Sequence, residues 1–123
     1  MLEVAQRTRH DLGEQGEALA CEYLERRLGM VVLSRNWRCR EGELDIVATD
    51  GDLLVVCEVK SRSGVACGSP LEAVTPEKLR RMRKVAQRWL MAYRVGWVDV
   101  RYDVVSVLWP PEGEVRLHHL KGL

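Results

Sequence analysis

This 123-residue chain predicts an α/β or α+β domain, a central mixed β-sheet flanked by helices, with the element order α-β-β-β-α-β(-β). Three observations support that class. Leu12, Gly16, Leu19, Ala20, Tyr23, Leu24 and Leu28 recur at spacings of three and four, the apolar stripe of an amphipathic helix. Two runs rich in Val, Ile and Leu flank the turn signal Asp50-Gly51. Thr75-Pro76, a cap followed by proline at the first helical position, then opens a second stripe of Leu79, Met82, Val85, Ala86, Trp89, Leu90 and Tyr93.

Residues 1–12 are mixed in character, and 1–10 are expected to be loosely held until a helix starts near Asp11. Gly29 would end that helix. Gly13 and Gly16 each cost a helix interior about 1 kcal/mol relative to alanine, so they point to a second backbone passing close by. Met30 to Leu33 begins a strand, and Ser34 to Arg40 either continues it or leads into a loop. Arg35, Arg38 and Arg40 surround Trp37. Packing of that ring on the core is its favoured role, and contact with nucleic acid is the other.

Glu41-Gly42-Glu43 turns into a hairpin of two antiparallel strands around Asp50-Gly51. With those two residues as the loop, Thr49 faces Asp52, Asp45 faces Val56 and Glu43 faces Glu58. Asp45 is then diagonal to Glu58 on one face, within about 7 to 8 Å. A four-residue loop keeps that parity, whereas a three-residue loop with a bulge breaks it. Glu58 and Lys60 share a face roughly 7 Å apart, and Val59 points the other way. A purely structural hairpin leaves these charges unexplained, above all Asp45 amid Leu44, Ile46 and Val47. Two carboxylates converging there repel unless a cation lies between them, and hard oxygen donors of this kind suit Mg²⁺. Taken singly, Glu58 and Lys60 also read as a surface charge pair, and Asp45 as an early strand end.

The stretch Ser63 to Pro70 is rich in small residues and reads as a loop, one that either closes over a substrate beside Lys60 or simply connects. Val98 to Leu108 alternates as a strand, with Arg101 and Asp103 on one face as a structural ion pair. Pro110-Pro111 ends it, and Glu114 to Leu120 forms a short edge strand.

With 46% hydrophobic and 30% charged residues the chain reads as one soluble globular domain over 1–123. No run approaches the roughly 18 apolar residues of a membrane span and the charged start is no secretory signal, so a cytoplasmic protein is expected. Cys21, Cys39, Cys57 and Cys67 form no metal-binding spacing and read as buried or incidental thiols. His118-His119 would point to opposite faces of a strand, which disfavours a metal site. The net charge is only +1, yet Lys78, Arg80, Arg81, Arg83, Lys84, Arg88 and Arg94 crowd one helix against Glu77 alone. Like charges at that spacing destabilise a helix slightly, and a polyanionic partner would relieve them.

Asp45, a gap, then Glu58-x-Lys60 resembles the PD-(D/E)xK nuclease superfamily, with Leu44 where a proline often stands. More of the chain resembles the YraN-like family of small bacterial proteins, itself similar to archaeal Holliday junction resolvases. The motifs are Gly13-x-x-Gly16-Glu17-x-x-Ala20-x-x-Tyr23-Leu24, Asn36-Trp37-Arg38, Gly42-Glu43-Leu44-Asp45, Glu58-Val59-Lys60-Ser61-Arg62, Val74-Thr75-x-x-Lys78 and Arg101-Tyr102-Asp103-Val104-Val105. The resemblance implies a restriction-endonuclease-like core, a topology that periodicity alone does not choose. It implies a site in which Asp45, Glu58 and Glu17 hold Mg²⁺ or Mn²⁺, with the main-chain carbonyl of Val59 completing the shell. Lys60 would orient the attacking water, with Glu43 and Lys78 in support. Glu17 otherwise reads as a solvated helix carboxylate.

The expected function is metal-assisted phosphodiester hydrolysis in nucleic acid, DNA before RNA and structured or branched DNA in particular. Arg38, Arg62, Lys78, Arg81 and Lys84 would contact phosphate. Analogy with the resolvases adds a two-fold homodimer. The runner-up is a nucleic-acid-binding module with weak or no catalysis on the same scaffold, and a protein-interaction domain is a third reading.

Overall fold

A computed structural model describes residues 9–64 and 74–123 of the chain. The expectation for 1–8 and most of the expected small-residue loop lie outside those residues, as does Cys67. The elements are α1 (Arg9–Glu22), continued by one π-helical segment (Tyr23–Arg27), β1 (Val31–Cys39), β2 (Gly42–Asp50), β3 (Leu53–Arg62), α2 (Pro76–Ala92), β4 (Val100–Leu108) and β5 (Arg116–Leu120). They form a five-stranded mixed sheet in the order β1-β2-β3-β4-β5, the α+β class and element order that the sequence predicts. All neighbours are antiparallel except β3 and β4, which run parallel because α2 lies in the crossover between them.

Each face of the sheet carries one helix. Ala20, Cys21 and Leu24 pack with Ile46, Ala48, Val55, Cys57, Val105 and Val107 on one side. Met82, Val85, Ala86 and Trp89 of α2 pack with Leu44, Val47, Leu54 and Val56 on the other. Trp37 joins the α2 cluster, the packing role expected of it. Alternation holds through β3 but breaks in β2, where Leu44 and Ile46 face opposite helices although they are two apart. The residue between them is Asp45.

The hairpin loop differs from its expected position. Asp50 pairs with Leu53 and Ile46 with Cys57, so the two loop residues are Gly51 and Asp52, and the register is shifted by two from the expected one. Gly51 has φ +62°, the left-handed value that a tight hairpin needs at its first loop position. The shift is even, so it changes no face between Ile46 and Cys57; at Asp45 the break in β2 alternation does.

Of the two glycines expected at a close approach, only Gly16 is at one. A Cβ there would lie 2.9 Å from the Ser61 Cβ and would overlap its Oγ, whereas Gly13 has open space. Thr75 caps α2 by accepting from the Lys78 N–H at 3.0 Å, ahead of Pro76. At the other end Arg94 donates to Met91 O and Val95 to Leu90 O, with Arg94 at φ +53°. This Schellman closure normally uses glycine, and arginine in the left-handed region costs about 1 kcal/mol or more. Tyr93, expected on the apolar face, falls at the helix end, where it is exposed and tilted on Trp89 at 4.8 Å.

Candidate functional site

The strands β2 and β3 separate beyond the Ile46–Cys57 pair, and one more step of that register sets Asp45 opposite Glu58. There the Asp45 side chain takes over from the ladder: its Oδ2 accepts from the Val59 N–H at 2.9 Å. The close Gly16–Ser61 packing holds α1 against β3, and the next residue, Glu17, comes beside Asp45. Glu17, Asp45, Val59, Lys60, Arg38 and Arg62 line one open groove of about 1110 Å³. Arg35 and Asn36 line it too, and sequence reasoning assigned neither to the site. The Asn36-Trp37-Arg38 motif was the available signal, but a strand's outward residues cannot be matched to a helix before the packing is known.

Electrostatics mark this end of the sheet as strained. Burial, then the neighbouring charge of Asp45, pushes the Glu17 carboxyl above its ordinary range, against the counteracting Arg35 and an Asn36 hydrogen bond. Burial also raises Asp45; the Val59 N–H opposes it, while Glu58 and Glu43 add to it. Arg35 Nε lies 3.8 Å from Glu17 Oε1, too far for a hydrogen bond. Glu17 Oε1 and Glu58 Oε2 are both buried with no hydrogen-bond partner. Such orphaned acceptors are costly in a folded interior.

The structure divides the expected site. Glu58 alternates with Val59 and so faces α2, where its Oε1 meets Lys78 Nζ at 2.9 Å. Glu17 approaches from the α1 side, with Asp45 between the two. Lys60 stands near both lysine and carboxylates: the adjacent Lys78, then burial, holds its ammonium below the usual lysine range. Glu43 pairs with Arg38 at 3.2 Å, so each occupies the other. Arg81 and Lys84 are exposed on α2, away from the groove that holds Arg38 and Arg62.

As a test of the metal expectation, the two unsatisfied carboxylate oxygens and Asp45 are hard anionic donors of the kind Mg²⁺ and Mn²⁺ take. Among the described residues no three His, Cys, Asp or Glu side chains form a ready metal-binding group. Mg²⁺ does not require one, since it commonly keeps several waters and binds through one or two carboxylates. The donors fit in chemistry; the lysine on Glu58 is what an ion would have to displace.

In the middle of β4, paired with Cys57 and so two strands from Asp45, Asp103 is fully buried and receives Arg101 through Nε and Nη2, both at 2.9 Å. His119 Nε2 at 2.8 Å and the Gly122 N–H at 3.0 Å complete its shell. Burial raises this carboxyl, but the hydrogen bonds from His119, Arg101 and Gly122 outweigh it and hold it at about 2. The expected Arg101–Asp103 pair is present. His119 was missed as its partner, and its Nδ1 lies 3.0 Å from the Tyr23 hydroxyl. Cys21 and Cys57 are buried free thiols, and burial, followed by Glu25, pushes Cys21 up to about 11. No helix among the described residues is long and apolar enough to cross a membrane.

Fold and site together define a small α+β protein with an acidic, arginine-lined groove where a sheet splays open. The chain belongs to the family described as uncharacterised protein family UPF0102, whose model matches residues 16–107. It is 50% identical to a UPF0102 protein of Acidothermus cellulolyticus over 93% of each chain. It is 49% identical to one of Kineococcus radiotolerans, over 95% of this chain and 96% of the relative. A UPF0102 protein of Frankia alni shares 50% identity over 97% and 98%.

Proposed function

We propose that this protein is a metal-dependent nuclease of the PD-(D/E)xK type, hydrolysing phosphodiester bonds in DNA, with branched or flapped DNA as the first candidate substrate. One observation carries the reading: Glu17 Oε1 and Glu58 Oε2, flanking Asp45, are buried carboxylate oxygens with nothing to accept from. Asp45 and Glu58, joined by Glu17 and the Val59 carbonyl, would hold Mg²⁺ or Mn²⁺. A divalent ion there supplies Lewis acidity and a water acidified towards neutrality. The chain's own residues do the rest. Lys60 orients the attacking water and stabilises charge on the phosphate. Glu43 and Lys78 restrain Arg38 and Glu58 through their ion pairs. Arg38 and Arg62 grip the backbone in the groove, and Arg81 and Lys84 hold it further out, without reading sequence. A cytoplasmic location and a two-fold dimer belong to the same reading.

The test is calorimetric titration of Mn²⁺ and Mg²⁺ into the wild type and the Asp45→Asn/Glu58→Gln double variant, followed by incubation with branched, flapped and linear DNA. Cation binding and cleavage of any substrate, both lost in the double variant, are expected. No cation binding even with DNA present would sink catalysis. The Lys78–Glu58 ion pair favours a second reading in that case, a nucleic-acid-binding module whose DNA affinity is unchanged by the double substitution.

A further inference from the structure

At and just beyond the C-terminus of α2, four large apolar residues face solvent: Met91 and Tyr93 are 66% and 55% exposed, Val95 39% and Trp97 89%. An indole left this bare is unusual, since tryptophan is highly buried on average. Trp97 borders a cavity of about 480 Å³ between α2 and the start of β4, with Arg83, Gln87, Asp99 and Tyr102 among its walls. That volume lies within the range of small-ligand sites. The Arg83 guanidinium sits over the Tyr102 ring at 5.8 Å, so the cavity offers a positive group on one aromatic ring with the Trp97 indole on its rim. Gln87 supplies an amide donor and acceptor, and Asp99 an acceptor.

The surroundings select the occupant. Arg80, Arg81, Arg83, Lys84 and Arg94 are exposed along the same helix and its closing turn, with Glu77 and Asp99 as the acidic residues nearby and Arg88 paired to Glu41 at 3.3 Å. A second copy of this chain related by a two-fold axis would set this positive surface against its own image. A neutral apolar ligand leaves the arginines unused. A polyanion carrying aromatic rings satisfies both halves of the surface. Rings in a duplex are stacked and show only their edges in the grooves, so a ring free to lie on Trp97 belongs to an unpaired strand.

We propose that the Trp97 cavity binds an unpaired nucleotide of a single-stranded arm, its base on the indole and its phosphate on Arg83. The arm runs back along α2 towards Lys78, which touches Glu58. Lys78 and Gln87 are nine residues apart, about 14 Å along the helix and half a turn around it, so a strand reaching both crosses the surface of α2 obliquely. This rests on nucleic acid as the substrate and narrows it to flapped or frayed structures.

The experiment is fluorescence anisotropy in chelator with a labelled single strand and the duplex of the same sequence, for the wild type, Trp97→Ala and Trp97→Phe. Trp97→Ala is expected to weaken single-strand binding roughly 5- to 150-fold, the range of one lost base stack, and to leave duplex binding unchanged. Trp97→Phe should retain most of the affinity. Unchanged single-strand binding in Trp97→Ala overturns the proposal, as does an equal loss on both ligands. A Trp97→Ala variant that turns a dimer into monomers in sedimentation, with single-strand affinity intact, reassigns the patch to self-association and overturns it too. Failure of the wild type to bind either ligand removes the nucleic-acid reading as a whole. Binding that persists where no DNA is cleaved with Mn²⁺ removes only catalysis, and the Trp97 result then stands by itself.

Discussion

Two buried acidic clusters lie near each other in one sheet, one around Asp45 and one around Asp103 two strands away, and they are built in opposite ways. Asp103 is saturated: two arginine nitrogens, an imidazole and a backbone amide converge on two oxygens, and its pKa is driven down to about 2. Burial pushes up both Glu17 and Asp45, with Asp45 adding to Glu17 and Glu58 adding to Asp45, and Glu17 and Glu58 each keep a buried oxygen with no donor. A carboxylate whose task is to hold the fold is surrounded by donors; one kept short of them in the same protein stores unfavourable energy that a ligand can release. The difference separates structure from candidate function more clearly than residue type does, since all four groups are carboxylates.

The comparison can be broken by stability measurements. The largest effect belongs to Asp103→Ala, which strands Arg101 and His119 and is expected to cost about 3 to 5 kcal/mol in denaturant unfolding. A near-neutral result would remove the structural half of the contrast. Gly16→Ala forces a methyl into Ser61 and is expected to cost about 1 to 3 kcal/mol, with Ser61→Gly restoring most of it. If the close approach serves to place Glu17, the single variant also loses Mn²⁺ affinity and the rescued one regains it.

The smallest effects carry opposite signs in the two clusters. Asp103 has a depressed folded pKa, so its stabilisation is present above the unfolded value of about 3.9 and disappears as pH falls towards 2. Glu17 and Asp45 have raised folded pKa values, so their protonated forms stabilise below the unfolded values, and that contribution is lost as pH rises through the folded ones. In cation-free buffer at pH 7, Glu17→Gln and Asp45→Asn should therefore unfold at equal or higher denaturant, by up to about 1 kcal/mol. The gain should vanish near pH 4. A clear loss of stability at pH 7 in both would mean that these carboxylates are structural after all.

The fold was legible because its signals are local. Apolar spacing located both helices, Thr75-Pro76 marked the start of α2, and Asp50-Gly51 located the hairpin. The same dipeptide misplaced the register by two, since glycine can take the left-handed position as either loop residue, and here it is the first. The site was legible only in its members. That Glu58 faces α2 while Glu17 comes from α1 depends on which helix covers which face, a property of packing that no spacing encodes. His119 was invisible as a partner for the same reason: Asp103 lies sixteen residues away on a neighbouring strand.

The rims of the sheet have a consequence of their own. β1 is an outer strand carrying Val31 and Leu33 exposed, the profile of a segment that recruits further strands. Its ladder is interrupted by an irregularity between Val32 and Ser34, Asn36 turns to φ +52°, and Arg35 and Arg38 charge the remainder. The opposite rim, β5, is only five residues long and begins with Arg116. Neither rim offers a foreign strand a flat, regular row of amides. The interrupted β1 and the short β5 are therefore poor templates for extending the sheet from one molecule to the next.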